Sequence, residues 1–300
     1  MSATAGRKAK GRLRRSLPSL LLAAPGVLWL VVFSLVPIGL VVAMSFWKSS
    51  IFGTTPAFSF ENYERVLLTP LYRNQLLNTI RISLVTTVLA LIVSYPVAFF
   101  ISRLKGMWKP VFVLMLFIPF WTSYVVRSFV WLPILGRNGI INQGLMAAGI
   151  IDQPLDWLIY NEGAVLLGLV YVYVLFMTLP IYLSLERIDG SLIEAASDLG
   201  ARPAQTFRRV ILPLTWSGVL AGSIMVFLLS IGAFVTPQLL GGTSGIMFGN
   251  IIASQFLSSN NWAFGAALSV SMMVVVRVFL LLASRWIGLG DVFGGGKAGR

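Results

Sequence analysis

Six apolar segments, each long enough to cross a lipid bilayer, constrain this chain more than any other feature. They lie at about residues 20–46, 79–101, 110–131, 163–185, 214–235 and 266–287. An α-helix rises about 1.5 Å per residue, so roughly 20 apolar residues span the ~30 Å hydrocarbon core. Hydrophobic residues make up 57% of the sequence and charged residues only 11%, which excludes an ordinary soluble domain. We therefore predict an all-α membrane protein with six transmembrane helices.

The basic residues predict the orientation of the chain. If all six segments span the bilayer, sixteen of the 23 Lys and Arg fall on the side of the N-terminal tail, and six fall on the other side. Arg277 lies within the last segment. Because Lys and Arg are retained in the cytoplasm, we expect both termini to be cytoplasmic (N-in, C-in). Residues 1–18 are then a basic tail, residues 19–288 the transmembrane domain and residues 289–300 a second tail. The net charge of +13 marks membrane orientation and does not predict nucleic-acid binding.

The sequence offers little for catalysis. It contains no histidine and no cysteine, which removes the commonest general base, metal ligand and thiol nucleophile. No P-loop motif occurs, and all ten Asp and Glu fall outside the apolar segments. We therefore expect no enzyme activity, no cofactor and no metal site. A proton-coupled secondary carrier, which would need an acid or a histidine inside the membrane, is a disfavoured alternative.

Residues 186–213 form the longest polar interruption on the predicted cytoplasmic side. Ser191 and Glu194 have the spacing of a capping box, which predicts the start of a short helix. Gly200 stands where a left-handed helix cap is needed, and a second short helix is expected to end at Pro213. Two short helices joined by a glycine are expected to form a rigid projection that another protein can bind. The alternative is an ordinary amphipathic loop on the bilayer surface.

This segment resembles the EAA motif of ABC importer permeases, which reads EAA, three residues, G, nine residues and I-x-L-P. The matching residues are Glu194, Ala195, Ala196, Gly200, Val210, Leu212 and Pro213. Valine in place of isoleucine at Val210 is the one departure. The resemblance implies that these residues, together with Ser191, form a coupling helix that docks into a groove on a separate ATPase subunit.

Other stretches extend the resemblance to nearly the whole chain, from about residue 20 to 287. Residues 119–131, 136–142, 239–242 and 261–267 look like parts of the first permease component of spermidine/putrescine ABC importers. Permeases for iron, thiamine, opines and aminoethylphosphonate share versions of these stretches, so these solutes are alternatives.

This resemblance implies a type I ABC importer permease fold in the bacterial cytoplasmic (inner) membrane. The implied partners are a second homologous permease, a dimer of ABC ATPase subunits and an extracytoplasmic solute-binding protein. The chain itself is then a non-catalytic subunit, and ATP is hydrolysed on the ATPase subunits.

Aromatic residues in the third and fourth apolar segments are candidates for the translocation path. They are Trp121, Tyr124 and Trp131 in the third segment and Tyr171, Tyr173 and Phe176 in the fourth. Aromatic faces attract ammonium groups by about 2 kcal/mol or more when desolvated, which suits a polyamine. The alternative is that they only pack between helices or lie at the membrane interface. For Arg277, a functional role and contact with a partner subunit are both open.

Overall fold

A computed structural model of the chain describes residues 24–50 and 53–286. The tails predicted over residues 1–18 and 289–300 lie outside the described residues, as do residues 20–23 of the first apolar segment and residue 287 of the last.

The described chain is built almost entirely from helices. In chain order its elements are α1 Ala24–Ser45, β1 Lys48–Ser50, β2 Gly53–Thr55, α2 Glu61–Leu68, α3 Pro70–Arg103, α4 Trp108–Phe117, α5 Tyr124–Phe129, α6 Trp131–Leu135, α7 Ile140–Ala147, α8 Glu162–Glu186, α9 Gly190–Asp198, α10 Pro203–Leu214, α11 Trp216–Ile231, α12 Val235–Leu240, α13 Phe248–Leu257 and α14 Trp262–Trp286. The two strands form an antiparallel hairpin of three residues each, a small addition to the predicted all-α fold.

Four of these helices, α1, α3, α8 and α14, are long and apolar enough to cross a membrane by themselves. Two bent helix pairs raise the number to six if each pair is one span. The all-α membrane fold is therefore confirmed, while the count of six and the orientation stay predictions.

The third apolar segment, predicted as one continuous span, is broken. α4 continues through a 3-10 turn, Ile118–Trp121, and the helical stretch Tyr124–Ala147 then departs at 92°. Thr122 and Ser123 at the break are extended, and the Ser123 hydroxyl accepts a hydrogen bond from the Val126 amide at 3.3 Å to start α5. Non-helical backbone at membrane depth is tolerated where it is buried in protein or lines a cavity.

The fifth segment is bent as well, by 62° between α10 and α11. We expected Pro213 to end the preceding helix, but α10 continues to Leu214. A π-helical turn, Phe207–Ile211, precedes the proline, and the Leu212 amide donates to the Phe207 carbonyl within it. This shifted register accommodates a residue without an N–H group, so the bend falls at Thr215.

The core is a three-helix arrangement of α3, α8 and α11, which pack against one another. The buried face of α3 carries small side chains, among them Thr79, Ser83, Thr86, Ala90, Ser94 and Ala98. The Ser94 hydroxyl donates to the Val174 carbonyl of α8 at 3.1 Å. Small residues let helix backbones approach closely, which is how helices associate in membranes without a hydrophobic driving force.

Two glycines on α11 bring it closest to α8. A Cβ atom added at Gly218 would lie 2.3 Å from the Ser184 hydroxyl and 2.5 Å from the Pro180 carbonyl oxygen. At Gly222 it would lie 2.9 Å from the Met177 sulfur. These two glycines, four residues apart on α11, therefore determine how closely α11 approaches α8.

α1 stands at the side of this core. None of its most apolar 18-residue window is buried, and its main contact is with α14. A second buried cluster joins α14 to α2, α3 and α13 through residues that include Val66, Tyr72, Phe248 and Phe264.

The loops at the predicted outer end are held by buried polar side chains. The fully buried Asn142 amide donates to the carbonyls of Gly136 at 3.2 Å and Leu155 at 3.3 Å, and its oxygen accepts from the Leu155 amide at 2.8 Å. These bonds tie the GRNGIIN stretch to the loop that follows α7.

Candidate coupling segment and translocation path

The first helix of the polar segment does not begin as predicted. Asp189 is its N-cap, and its carboxylate accepts from the Ser191 amide at 3.0 Å. Ser191 therefore lies inside the first turn of α9, and the predicted capping box of Ser191 with Glu194 is wrong. An aspartate two residues ahead of the serine caps equally well, and the helix begins at Gly190.

The end of α9 confirms the predicted left-handed glycine. Gly200 has φ +80°. Its amide donates to the Ser197 carbonyl at 2.8 Å, and the Ala201 amide donates to the Ala196 carbonyl at 3.0 Å. These two bonds are those of a Schellman motif, which satisfies the last carbonyls of a helix and fixes the direction of the chain after it.

α9 presents an apolar stripe to the outside. Leu199 is 89% exposed and Leu192 is 47% exposed, and Ala195 between them is also exposed. Ile193 on the opposite face packs against the core. Single exposed leucines are common, but a stripe at i, i+3 and i+7 on a short helix is suited to a groove in another protein.

The remaining motif residues lie along the same segment. Ser191, Glu194 and Pro213 are exposed, and Ala196 and Leu212 are half-buried. The exposed members therefore lie where a partner can reach them.

α10 anchors the segment to the core. The Phe207 ring contacts the rings of Tyr95 and Phe99 edge to face, at centroid distances of 5.6 and 5.8 Å. At the bend, the Tyr95 hydroxyl lies 2.9 Å from the Thr215 hydroxyl. α9 contacts α10, so a continuous chain of contacts joins α9 to α3 through Phe207 and to α11 through the bend.

An ion pair and a cavity lie beside this anchor. The Lys109 ammonium at the start of α4 is 2.6 Å from the Glu186 carboxylate at the end of α8. A cavity of about 160 Å³ lies between the ends of α3 and α8 and the start of α9, with Arg103 and Ile193 among its lining residues.

Three of the aromatic path candidates come together in the structure. Tyr124 stacks on Tyr173 with centroids 6.4 Å apart, and Tyr173 lies 6.4 Å from Phe176. Phe176 contacts Phe120 at 5.4 Å. We call Phe120, Tyr124, Tyr173 and Phe176 the aromatic cluster; Phe120 is a member that the sequence reasoning missed.

The other aromatic candidates lie apart from the cluster. Tyr171 contacts Trp131 edge to face at 5.5 Å, and Trp121 is 85% exposed on the isolated chain. Arg277 is exposed on α14.

The structure also reveals a buried cation at the aromatic cluster. Arg127 is 8% exposed, and its guanidinium carbon lies 4.3 Å from the centroid of the Phe120 ring. In the orientation prediction, Arg127 is one of the six basic residues on the side opposite the N-terminal tail. Its position in a run of apolar and aromatic residues was the available signal.

Comparison with known proteins identifies the family of the chain. Residues 12–288 match the family model described as "Binding-protein-dependent transport system inner membrane component". The chain belongs to this family. The permease is therefore a multi-pass protein of the inner membrane and a component of a binding-protein-dependent ABC importer.

Curated relatives align with the permease over most of its length. It is 37% identical over 255 residues to the spermidine/putrescine transport system permease protein PotB of Escherichia coli (strain K12), covering 85% of this chain and 92% of the relative. It is 39% identical over 259 residues to PotB of Haemophilus influenzae, covering 86% and 90%.

The fold is shared with a solved permease structure. A bacterial ABC transporter involved in the import of the acidic polysaccharide alginate superimposes with a TM-score of 0.72, covering 96% of the permease and 100% of that chain at 15% identity. At this identity the likeness supports the fold alone, and it leaves the solute open.

Proposed function

We propose that this permease imports polyamines of the spermidine/putrescine class. The observation that carries the proposal is the 37–39% identity, over at least 85% of the chain, to permeases named for spermidine and putrescine transport. The aromatic cluster is compatible with a cationic solute, because aromatic faces attract ammonium groups.

The partners follow from the coupling segment. A dimer of ABC ATPase subunits binds α9 through the stripe of Leu192, Ala195 and Leu199, with Glu194 at its side. The support for this is their exposure on a helix whose opposite face packs on the core. ATP hydrolysis then takes place on the ATPase, and a second homologous permease and an extracytoplasmic solute-binding protein complete the importer.

The mechanism is a transfer of motion from α9 to the membrane helices. Closure of the ATPase dimer on ATP moves α9, and the Phe207 contact with Tyr95 and Phe99 transmits the movement to α3. The bend at Thr215 transmits it to α11. The path between the two permeases then opens outward, and the solute passes the aromatic cluster.

We also propose the N-in, C-in topology with six spans, each bent pair counting as one span. Reporter fusions after Lys48, Arg137 and Ser259 are expected to report the extracytoplasmic side. A cytoplasmic signal at any of these three positions contradicts the topology and leaves the family assignment unaffected.

Uptake by the reconstituted complex tests the solute. The permease is purified with its second permease, ATPase and binding protein, and uptake of radiolabelled spermidine, putrescine, ferric iron, thiamine and aminoethylphosphonate is compared. ATP-dependent uptake of spermidine or putrescine is the expected result. Uptake of one of the other solutes, with none of either polyamine, refutes the polyamine assignment while the importer assignment stands.

The role of the aromatic cluster is tested in the same vesicles. Tyr124→Ala is expected to lower spermidine uptake while the complex still assembles and docks its binding protein. Trp121→Ala is the comparison variant, because the Trp121 side chain is 85% exposed on the isolated chain and the ring contacts that define the cluster do not involve it. Unchanged uptake by Tyr124→Ala contradicts the proposed path.

A further inference from the structure

Arg127 is a buried charge without a counter-ion in the described residues. Its Nε and Nη1 atoms are fully enclosed and have no hydrogen-bond partner there. The ion pairs found in residues 24–50 and 53–286 involve Arg81, Lys109 and Arg137 instead. A guanidinium can donate five hydrogen bonds, so most of its capacity is unused.

The aromatic cluster is what holds this guanidinium. The charge lies 4.3 Å from the Phe120 centroid, a distance at which the ring face attracts a cation. Among the described residues, the guanidinium therefore contacts an aromatic ring face and no carboxylate that would fix an arginine permanently.

The arginine lies close to a break in the backbone. α5 begins directly after the extended residues Thr122 and Ser123. Residues at such a break can absorb changes in backbone dihedral angles and so reorient the helix that follows. α5 is tied to α12 by the Tyr124 and Ser128 hydroxyls, which lie 3.1 and 2.8 Å from the Thr236 hydroxyl, so a shift of α12 would carry Arg127 with it.

We propose that the aromatic cluster is a binding site for one alkylammonium group of the solute, and that Arg127 occupies this site as a tethered cation until the solute displaces it. The inference rests on the proposed function in one respect, namely that the solute is a cation. Two cations cannot share the ring faces, because their repulsion is strong in a low-dielectric site. Arg127 thus keeps the site filled and closes it to other small cations between transport cycles.

The proposal predicts the size of the effect. A tethered group competes at an effective concentration in the millimolar range or above. If Arg127 fills the site nine-tenths of the time, the apparent affinity for a free ammonium group falls about tenfold, since binding is reduced by the fraction of competent protein. Removal of the Arg127 charge should therefore raise the apparent affinity for a free ammonium group about tenfold.

The test measures equilibrium binding of radiolabelled n-butylammonium to the assembled complex in nanodiscs, without binding protein. Arg127→Met removes the charge and keeps an apolar side chain of similar reach, and it is expected to bind butylammonium about tenfold more tightly than the wild type. Arg127→Lys retains a tethered cation and should stay within about twofold of the wild type. Arg277→Met is the matched control, since it removes an exposed arginine from α14, and it should bind like the wild type.

A double variant tests whether the gain arises at the cluster. Phe120→Leu added to Arg127→Met removes the ring beneath the charge and is expected to abolish most of the gain. Equal or weaker binding by Arg127→Met overturns the proposal. Loss of the second permease during purification of Arg127→Met also overturns it, because that result indicates a carboxylate of the second permease as the partner of Arg127.

The solute assignment is measured separately as spermidine uptake by the wild-type complex. Absence of spermidine uptake together with the tenfold gain in butylammonium binding refutes the polyamine assignment and upholds the site. Spermidine uptake without the tenfold gain in butylammonium binding upholds the polyamine assignment and refutes the proposed site.

Discussion

Replacement of Gly200 by valine tests the coupling segment with least ambiguity, because the structure isolates one cause. Gly200 has φ +80°, and a Cβ atom added there meets nothing within 4 Å. Within the permease chain a Cβ atom therefore overlaps nothing, and the penalty there is that of a left-handed conformation for an L-residue, about 1–2 kcal/mol. Such a penalty changes the population of the Schellman cap by a factor of about 5–30.

The chain can respond to this strain in two ways, and both affect only the end of α9. Either the chain keeps φ positive at this cost, or Gly200 relaxes and the hydrogen bonds to the Ser197 and Ala196 carbonyls break, at about 0.5–1.5 kcal/mol each. Gly200, Ser197 and Ala196 are not among the residues of the buried core. Gly200→Val should therefore insert and assemble normally but lose most spermidine uptake and the stimulation of ATPase activity by the loaded binding protein.

Three variants serve as controls for this experiment. Gly200→Asn should keep most activity, because asparagine adopts left-handed conformations more readily. Gly190→Ala alters the glycine at the start of α9, where space is open and φ is ordinary. Gly106→Val introduces the same strain at φ +65° in the turn after α3. Wild-type coupling by Gly200→Val, or an equal loss in Gly106→Val, refutes the reasoning.

Three further predictions follow from other parts of the chain. Leu199→Asp should release the ATPase during co-purification without lowering the permease yield, because it places a charge in the exposed stripe of α9; retention of the ATPase contradicts this docking surface. Gly218→Leu should lower the yield of folded permease in detergent, as measured by size-exclusion chromatography, because its Cβ would overlap the Ser184 hydroxyl; Gly39→Leu on α1 has open space, and an equal loss there would contradict this explanation. Asn142→Ala should lower the thermal unfolding midpoint, since buried groups left unpaired cost about 1–3 kcal/mol each; an unchanged midpoint contradicts the assigned role.

Local rules predicted most of the helical architecture and part of the coupling segment. The left-handed Gly200 followed from its position after an apolar helical pattern, and the structure has it at φ +80°. The predicted cap at Ser191 was wrong because Asp189 competes for the same role, and local sequence does not rank two cap-forming residues that lie two positions apart. The break at Thr122–Ser123 had a signal in the nearby Pro119, but the 92° angle depends on packing.

The aromatic cluster shows where sequence reasoning stops. Tyr124, Tyr173 and Phe176 were chosen by residue type, and so were Tyr171 and Trp121, which lie elsewhere. Whether an aromatic joins the cluster depends on the direction of α5 after the break and on its contact with α8. Both are tertiary properties that no periodicity encodes.

The packing of α1 on α14 has a consequence for how the protein is made. The two helices are separated by more than 200 residues of chain, and synthesis proceeds at roughly 5–20 residues per second. α1 thus leaves the ribosome some tens of seconds before its main partner exists. During that interval lipid contacts the apolar surface that α14 later covers. Biogenesis of this protein therefore includes an intermediate in which α1 lies in the bilayer without α14.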